Sequence, residues 1–204
     1  MGTFPNIAAL NGSGDFTIEC WYFDVTTNAH TCAIGNKDPN FDSAGWCLRF
    51  DHVNSFATAL IQFRSALGVT PEITPRPTAG SWTHIALTRL SGTCQWYQDG
   101  SAINASFAYA GAITASSAEL VMGGVTRESY DGHQDRLADI RIWDDARTAG
   151  EISGNYLSAL VGNEANLVAY WPLQSDSLDY GPNGYHFNLV GQGEFMASSN
   201  GPVP

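Results

Sequence analysis

The feature that most constrains this chain is a two-residue alternation that recurs along nearly its whole length and is broken only by turn residues. Residues 15–25 read D-F-T-I-E-C-W-Y-F-D-V. Phe16, Ile18, Cys20 and Tyr22 fall on one side, and Thr17, Glu19, Trp21 and Phe23 on the other. Successive side chains of an extended backbone point to opposite faces, so this is the period of a sheet strand. The same reading predicts strands over 30–35, 45–51, 55–64, 81–90, 93–99, 119–124, 137–144, 166–173 and 185–190. Turn chemistry separates them: 36–45, Leu90-Ser91-Gly92-Thr93, Asp99-Gly100 and Pro182-Asn183-Gly184. The proline-rich stretch 71–80 holds no central strand, because proline cannot donate to a ladder.

One segment leaves the pattern. In the strand before it, Ala138, Ile140 and Ile142 share one face, with Asp139, Arg141 and Trp143 on the other. Thr148-Ala149-Gly150-Glu151 then has the spacing of a capping box. Ile152, Tyr156 and Leu160 follow at four-residue steps, which predicts one short α-helix near residues 148–160. Roughly ten to twelve strands without crossover helices imply an all-β fold, an antiparallel two-sheet β-sandwich. A chain of 204 residues is expected to form a single domain over 1–204.

The formal net charge of −11 repels phosphate backbones, so neither nucleic acid nor an anionic membrane surface is an expected partner. No apolar run approaches the roughly 20 residues of a membrane helix, so no membrane insertion is expected. Met1-Gly2-Thr3-Phe4-Pro5 lacks the basic and apolar regions of a signal peptide. Two readings follow: folding in the cytosol, or Met1-Gly2 standing in place of an export signal. Cys20, Cys32, Cys47 and Cys94 match no zinc spacing. Cys32 and Cys47 lie on two arms of one hairpin and could face each other, but buried free thiols are the expected state.

Four phrases then occur in a telling order: Phe16-Thr17-Ile18-Glu19-Cys20-Trp21; Trp82-x-His84-Ile85-Ala86-Leu87-Thr88 with Trp96-Tyr97-Gln98-Asp99-Gly100; Leu137 to Asp144 with Ala146-Arg147-Thr148 and Glu151-Ile152; and Leu167 to Leu173 with Asp179 to Gly184. Over residues 10–192 this resembles the laminin-G-like and pentraxin-like, concanavalin A-like jelly rolls. The resemblance implies a jelly-roll topology. In many tandem members the last phrase opens a domain. Here it closes the chain, as in pentraxins, so strands at about 166–192 are expected to complete the sandwich. Exchange of that segment between subunits is the alternative. Cys20 stands where pentraxins carry a disulfide cysteine, but the partner position is Ala86, so that bridge cannot form.

The resembled group includes glycoside hydrolases, which need two carboxylates facing one cleft. No E-x-D-x-E run, G-x-S-x-G or HExxH occurs, and Asp139 and Asp144-Asp145 have the wrong spacing. His30, His52, His84, His133 and His186 are scattered, and His84 reads as structural. The expectation is a protein that is not an enzyme. The resemblance also implies calcium as the one candidate cofactor. The loop Glu128 to Asp135 resembles the pentraxin calcium loop, which makes Glu128, Asp131, Gln134 and Asp135 candidate ligands. Tyr130 and His133 of that loop, and Asp38, Asn40 and Asp42 of another, are candidate ligand-binding residues, with plain solvated loops as the other reading. Tyr130, Phe41, Trp46 and Tyr109 are candidates for an exposed sugar platform, whereas Trp21, Trp82, Trp143 and Trp171 read as core.

Two functions compete. One is a virion-type decoration, tail or adhesion protein, on a virion surface or extracellular, with protein partners in a homo-oligomer or larger assembly. The other is a calcium-assisted carbohydrate-binding module from a secreted protein, recognising surface glycans.

Overall fold

A computed structural model describes residues 2–4, 7–25, 30–36, 44–51, 60–123, 136–189, 194–195 and 202. Among these, thirteen strands run in chain order: β1 (Gly2–Phe4), β2 (Phe16–Phe23), β3 (His30–Gly35), β4 (Trp46–Asp51), β5 (Leu60–Ser65), β6 (Gly68–Val69), β7 (Trp82–Leu90), β8 (Thr93–Gln98), β9 (Ser101–Ala108), β10 (Leu120–Met122), β11 (Arg136–Trp143), β12 (Leu167–Trp171) and β13 (Asn188–Leu189). The helix α1 spans Ala149–Asn155 and lies between β11 and β12. The strands form two antiparallel sheets, a seven-stranded one of order β13-β1-β10-β3-β4-β5-β6 and a six-stranded one of order β12-β11-β2-β7-β8-β9.

The alternation read from the sequence sets what lies between the sheets. Phe16, Ile18, Cys20 and Tyr22 of β2 join Ile85 and Leu87 of β7 and Trp96 of β8 on the inner face of one sheet. Leu48 and Phe50 of β4 and Ile61 and Phe63 of β5 meet them from the other. Ring contacts fix how the sheets lie: Tyr22 is 4.2 Å from Phe50, and Phe16 is 5.6 Å from Phe63. The end of β2 and the end of β4 therefore share one end of the sandwich, here the first end. Phe16 and Trp46, which stacks on Phe63, mark the second end.

Turn chemistry acts where the sequence placed it. Ser91-Gly92 and Asp99-Gly100 both have positive φ at both residues, the requirement of a type I′ hairpin turn. Strand β9, by contrast, does not appear in the sequence reading. Apart from Ile103 and Phe107, which pack half-buried against the core, its residues are small or polar and exposed, because it is an edge strand with little to bury. Asn104 in its middle has φ 58°, and its side chain bonds Thr74 N and Glu72 O, so the 71–76 segment covers part of that edge.

Three expectations need correction. Ala138 does not share a face with Ile140 and Ile142. A bulge falls between Ala138 and Arg141, with Asp139 at φ 51°, and the extra residue turns Ala138 outward to pack with Trp21. The helix ends at Asn155 and not at 160, so Tyr156 and Leu160 pack from its C-cap and the loop beyond. Cys32 and Cys47 do not face each other: Cys32 is opposite Arg49, and Cys47 is opposite Gly35. Cys47, Cys20 and Cys94 are buried free thiols.

Candidate functional site

Every loop residue singled out from the sequence lies outside the described residues: Asp38, Asn40, Phe41, Asp42, Glu128, Tyr130, Asp131, His133, Gln134 and Asp135. Their anchors are described. The 37–43 loop leaves from Asn36 and returns at β4, at the second end, where Gly45 N donates to Thr114 O. The 124–135 loop leaves after Gly123, whose N–H donates to Ala33 O, and returns at Arg136 opposite Phe23, at the first end. Arg136 thus lies at the first end, whereas Gly123 sits midway along β3, three residues before Asn36, from which the 37–43 loop leaves.

The proposed sugar platform also changes. Trp46 is completely buried and Tyr109 is 6% exposed, each inside the sandwich core. Tyr109 donates to Gly68 O and shares a hydrogen bond with Ser65, so neither ring presents a face. Trp21, Trp143 and Trp171 are core, as their strands suggested, but Trp82 at the rim is only half-buried.

The described feature richest in chemistry lies on the outer face of the six-stranded sheet. Alternation places Glu19 of β2, His84 of β7 and Arg141 of β11 there, together with the bulge residue Asp139. A polar outer face ordinarily meets water, yet Glu19, His84, Asp139 and Arg141 are each at most 3% exposed. The cover is α1 and the loop after it. Ile152 packs on Ala86 and Tyr97, Tyr156 stacks on Trp21, and Leu160 reaches Trp143 and Tyr170. Burying Ile152 contributes on the order of 2 kcal/mol.

Arg141 sits at the centre. Its Nη2 is 2.5 Å from Asp139 Oδ2, and its Nη1 is 3.8 Å from Glu19 Oε1. The same guanidinium donates to Asn155 O and Ser158 O, and Trp21 Nε1 donates to Tyr156 O. The Asn155 and Tyr156 carbonyls are ones that the end of a helix leaves without intrahelical partners, and Ser158 O belongs to the loop just beyond it. The sheet thus supplies three donors that fasten the end of α1. At its start, Thr148 and Glu151 form the reciprocal capping box.

The two carboxylates respond oppositely to the same burial. Desolvation pushes both upward. For Glu19 it is outweighed by His84, whose Nε2 lies 3.2 Å away, by the Arg141 charge and by the Trp143 Nε1 hydrogen bond at 2.8 Å. Its carboxyl is held below the usual range. Asp139 ends above its usual range, because burial and the Glu19 charge exceed what Arg141 and Tyr170 return. A pocket of about 190 Å³ opens above Glu19 and Trp143, walled by Arg147, Glu151, Asn155 and Glu164. Arg147 lies over the Trp143 ring at 4.4 Å and pairs with Glu151 at 2.9 Å, so the indole face is already occupied. No group of three or more metal-ligating side chains occurs among the described residues.

The sequence reading missed this cluster as a unit. Its signal was present: an acid, a histidine and an acid-arginine pair at outward positions of three strands. What was not legible was that these strands are neighbours and that a helix seals them.

Two packed antiparallel sheets, with a helix sealing one outer face and loops gathered at both ends, define a jelly roll of the lectin type. The chain belongs to the concanavalin A-like lectin/glucanases superfamily, with residues 2–153 matching its Laminin_G_3 family. A Bacteroides ovatus protein to which carbohydrate binding is ascribed superposes with a TM-score of 0.68 at 16% identity, over 93% of this chain and 56% of that one. This chain therefore spans little more than half of that protein. Domain 4 of a GH43 extracellular arabinanase from Geobacillus stearothermophilus, solved with arabinotriose, gives 0.52 at 17% identity, over 75% and 71% of the two chains. The enzymatically active domain of tailspike protein 2 from bacteriophage CBA120 gives 0.55 at 14% identity, over 79% and 27%. At these identities the likeness is one of fold. No curated protein matches the chain by sequence.

Proposed function

We propose that this chain is a non-catalytic carbohydrate-binding module. The observation that carries the reading is the state of its two buried sheet carboxylates. A glycosidase needs one carboxylate as acid and one as nucleophile or base, both facing substrate. Glu19 and Asp139 instead flank Arg141 beneath α1, and the cluster holds down the helix. Membership of a lectin superfamily and likeness to carbohydrate-binding proteins support binding as the remaining role. Calcium belongs to the same proposal through Glu128, Asp131, Gln134 and Asp135, as does an extracellular location.

A glycan array probed with and without EDTA tests the reading, beside a polysaccharide hydrolysis screen. Specific glycan binding without hydrolysis is expected, and loss of signal with EDTA would assign calcium a part. Hydrolysis of any polysaccharide, or no binding under either condition, refutes the proposal.

A second reading, a decoration, tail or adhesion component of a virion, is supported by the likeness to the tailspike domain. It expects a stable oligomer in solution and fails if the protein sediments as a monomer at high concentration.

A further inference from the structure

At the first end of the sandwich, three side chains form a row across three adjacent strands on the outer face of the six-stranded sheet. Arg136 of β11 is opposite Phe23 of β2, which is opposite Trp82 of β7. Directly opposed residues project to the same face. The Phe23 and Trp82 rings meet edge to face at 5.5 Å, and the Arg136 guanidinium carbon is 4.8 Å from the centre of the Phe23 ring. The row is two strand spacings long, roughly 10 Å.

Among the described residues, its neighbours are sealed and this row is only partly covered. The next outward-facing row, Ala138, Trp21 and His84, is buried, with Tyr156 stacked on Trp21. Phe23, Trp82 and Arg136 lie beyond that cover and are each half-buried. Arg136 is also unlike every other described arginine. Arg76 and Arg147 are paired with acids, Arg141 is central to the buried cluster, Arg89 donates to backbone carbonyls, and Arg49 and Arg64 have partners of their own. Arg136 has no hydrogen bond or ion pair among the described residues, only the face of Phe23. Among the described residues, this leaves one guanidinium held by a ring and with no acid paired to it.

We infer that this row is a subsite for a saccharide carrying a carboxylate. The C–H face of a sugar ring packs on the Trp82 ring, while Phe23, braced between Trp82 and Arg136, holds the two apart. The Arg136 fork receives the carboxylate through charge-assisted hydrogen bonds, for which its planar geometry is fitted. The inference rests on the carbohydrate-binding reading and adds the site and the ligand class. Ring and charge divide the work: Trp82 serves any sugar, and Arg136 selects the acidic one.

The test is calorimetric titration of the whole chain with oligogalacturonide, oligoglucuronide and sialyllactose, beside neutral oligosaccharides of the same length. Wild type is expected to bind at least one acidic sugar more tightly than its neutral counterpart. Arg136→Gln should weaken that acidic sugar by about tenfold to a hundredfold, the size of a lost charged hydrogen bond, and leave neutral sugars unchanged. Trp82→Ala should weaken both classes. Arg136→Gln disturbs no hydrogen bond among the described residues, and an unchanged thermal midpoint confirms that it folds. If wild type binds sugars but shows no preference for the acidic ones, or Arg136→Gln leaves that preference intact, the subsite is refuted and carbohydrate binding stands. If wild type binds no saccharide at all, both fall.

Discussion

Neutralising Glu19 and neutralising Asp139 should have unequal costs, although both carboxylates flank the same arginine in the same buried cluster. Glu19 sits below its usual range, so the folded state favours its charge over the unfolded state. Glu19→Gln keeps an oxygen for the Trp143 Nε1 donor but removes the anion beside His84 Nε2 at 3.2 Å and Arg141 at 3.8 Å. Breaking a buried pair by removing one partner costs about 3 kcal/mol or more. Asp139 sits above its usual range, so folding disfavours its charge. Asp139→Asn relieves that burden, and asparagine tolerates the positive φ of 51° found there. Its cost should be about 1 kcal/mol or less, the size of one ordinary hydrogen bond. Urea unfolding at pH 7 measures both, with unchanged m values as evidence that only stability moved. The pH dependence gives a second readout. A depressed carboxylate contributes stability above its unfolded value, near 4.5 for Glu19, and loses it as pH falls through the folded value. The gap between wild type and Glu19→Gln should therefore close on acidification below that point. Asp139 runs the other way: its burden sets in as pH rises from its unfolded value toward the raised folded one, so Asp139→Asn should fare best against wild type at neutral pH. An Asp139→Asn loss equal to or larger than that of Glu19→Gln at pH 7 would refute the reasoning.

Thr148→Ala removes one half of the capping box on a seven-residue helix and should cost about 1 kcal/mol, or roughly 2–4 °C in thermal midpoint; Glu151→Gln, which keeps an acceptor, should cost less. Gly162 has φ 99°, and a Cβ there would fall 2.0 Å from the Tyr180 carbonyl oxygen, so Gly162→Ala should be strongly destabilising in a melt. Gly14 has nothing within 4 Å, and Gly14→Ala should change the midpoint little. Cys20, Cys47 and Cys94 should resist a thiol reagent in the native protein and react on unfolding, since burial pushes the Cys94 thiol up to about 12 and raises that of Cys20 further. A reductant should leave the melting curve unchanged, and a shift would argue for a bridge.

Arg136, Phe23 and Trp82 illustrate how far a linear chain can be read. The sequence by itself determined most of the period-two strands, the turns at Leu90–Thr93 and Asp99-Gly100, the capping box at Thr148 and the sandwich class. Each rests on interactions between residues close in sequence, so local pattern suffices. It could not determine that β11, β2 and β7 are adjacent, which brings residues more than a hundred positions apart onto one face. Nor could it show the bulge at Asp139, because one inserted residue reverses the facing of Ala138 without altering the apparent alternation. Trp46 and Tyr109 looked available and are buried, since exposure depends on the opposing sheet and not on residue type. The tertiary structure alone decided which polar outer faces are covered: the bulge at Asp139 brings Arg136 and Arg141 to the same face, and α1 seals Glu19, His84 and Arg141 but stops short of Arg136, so charges on one strand become scaffold in one row and candidate ligand contact in the other.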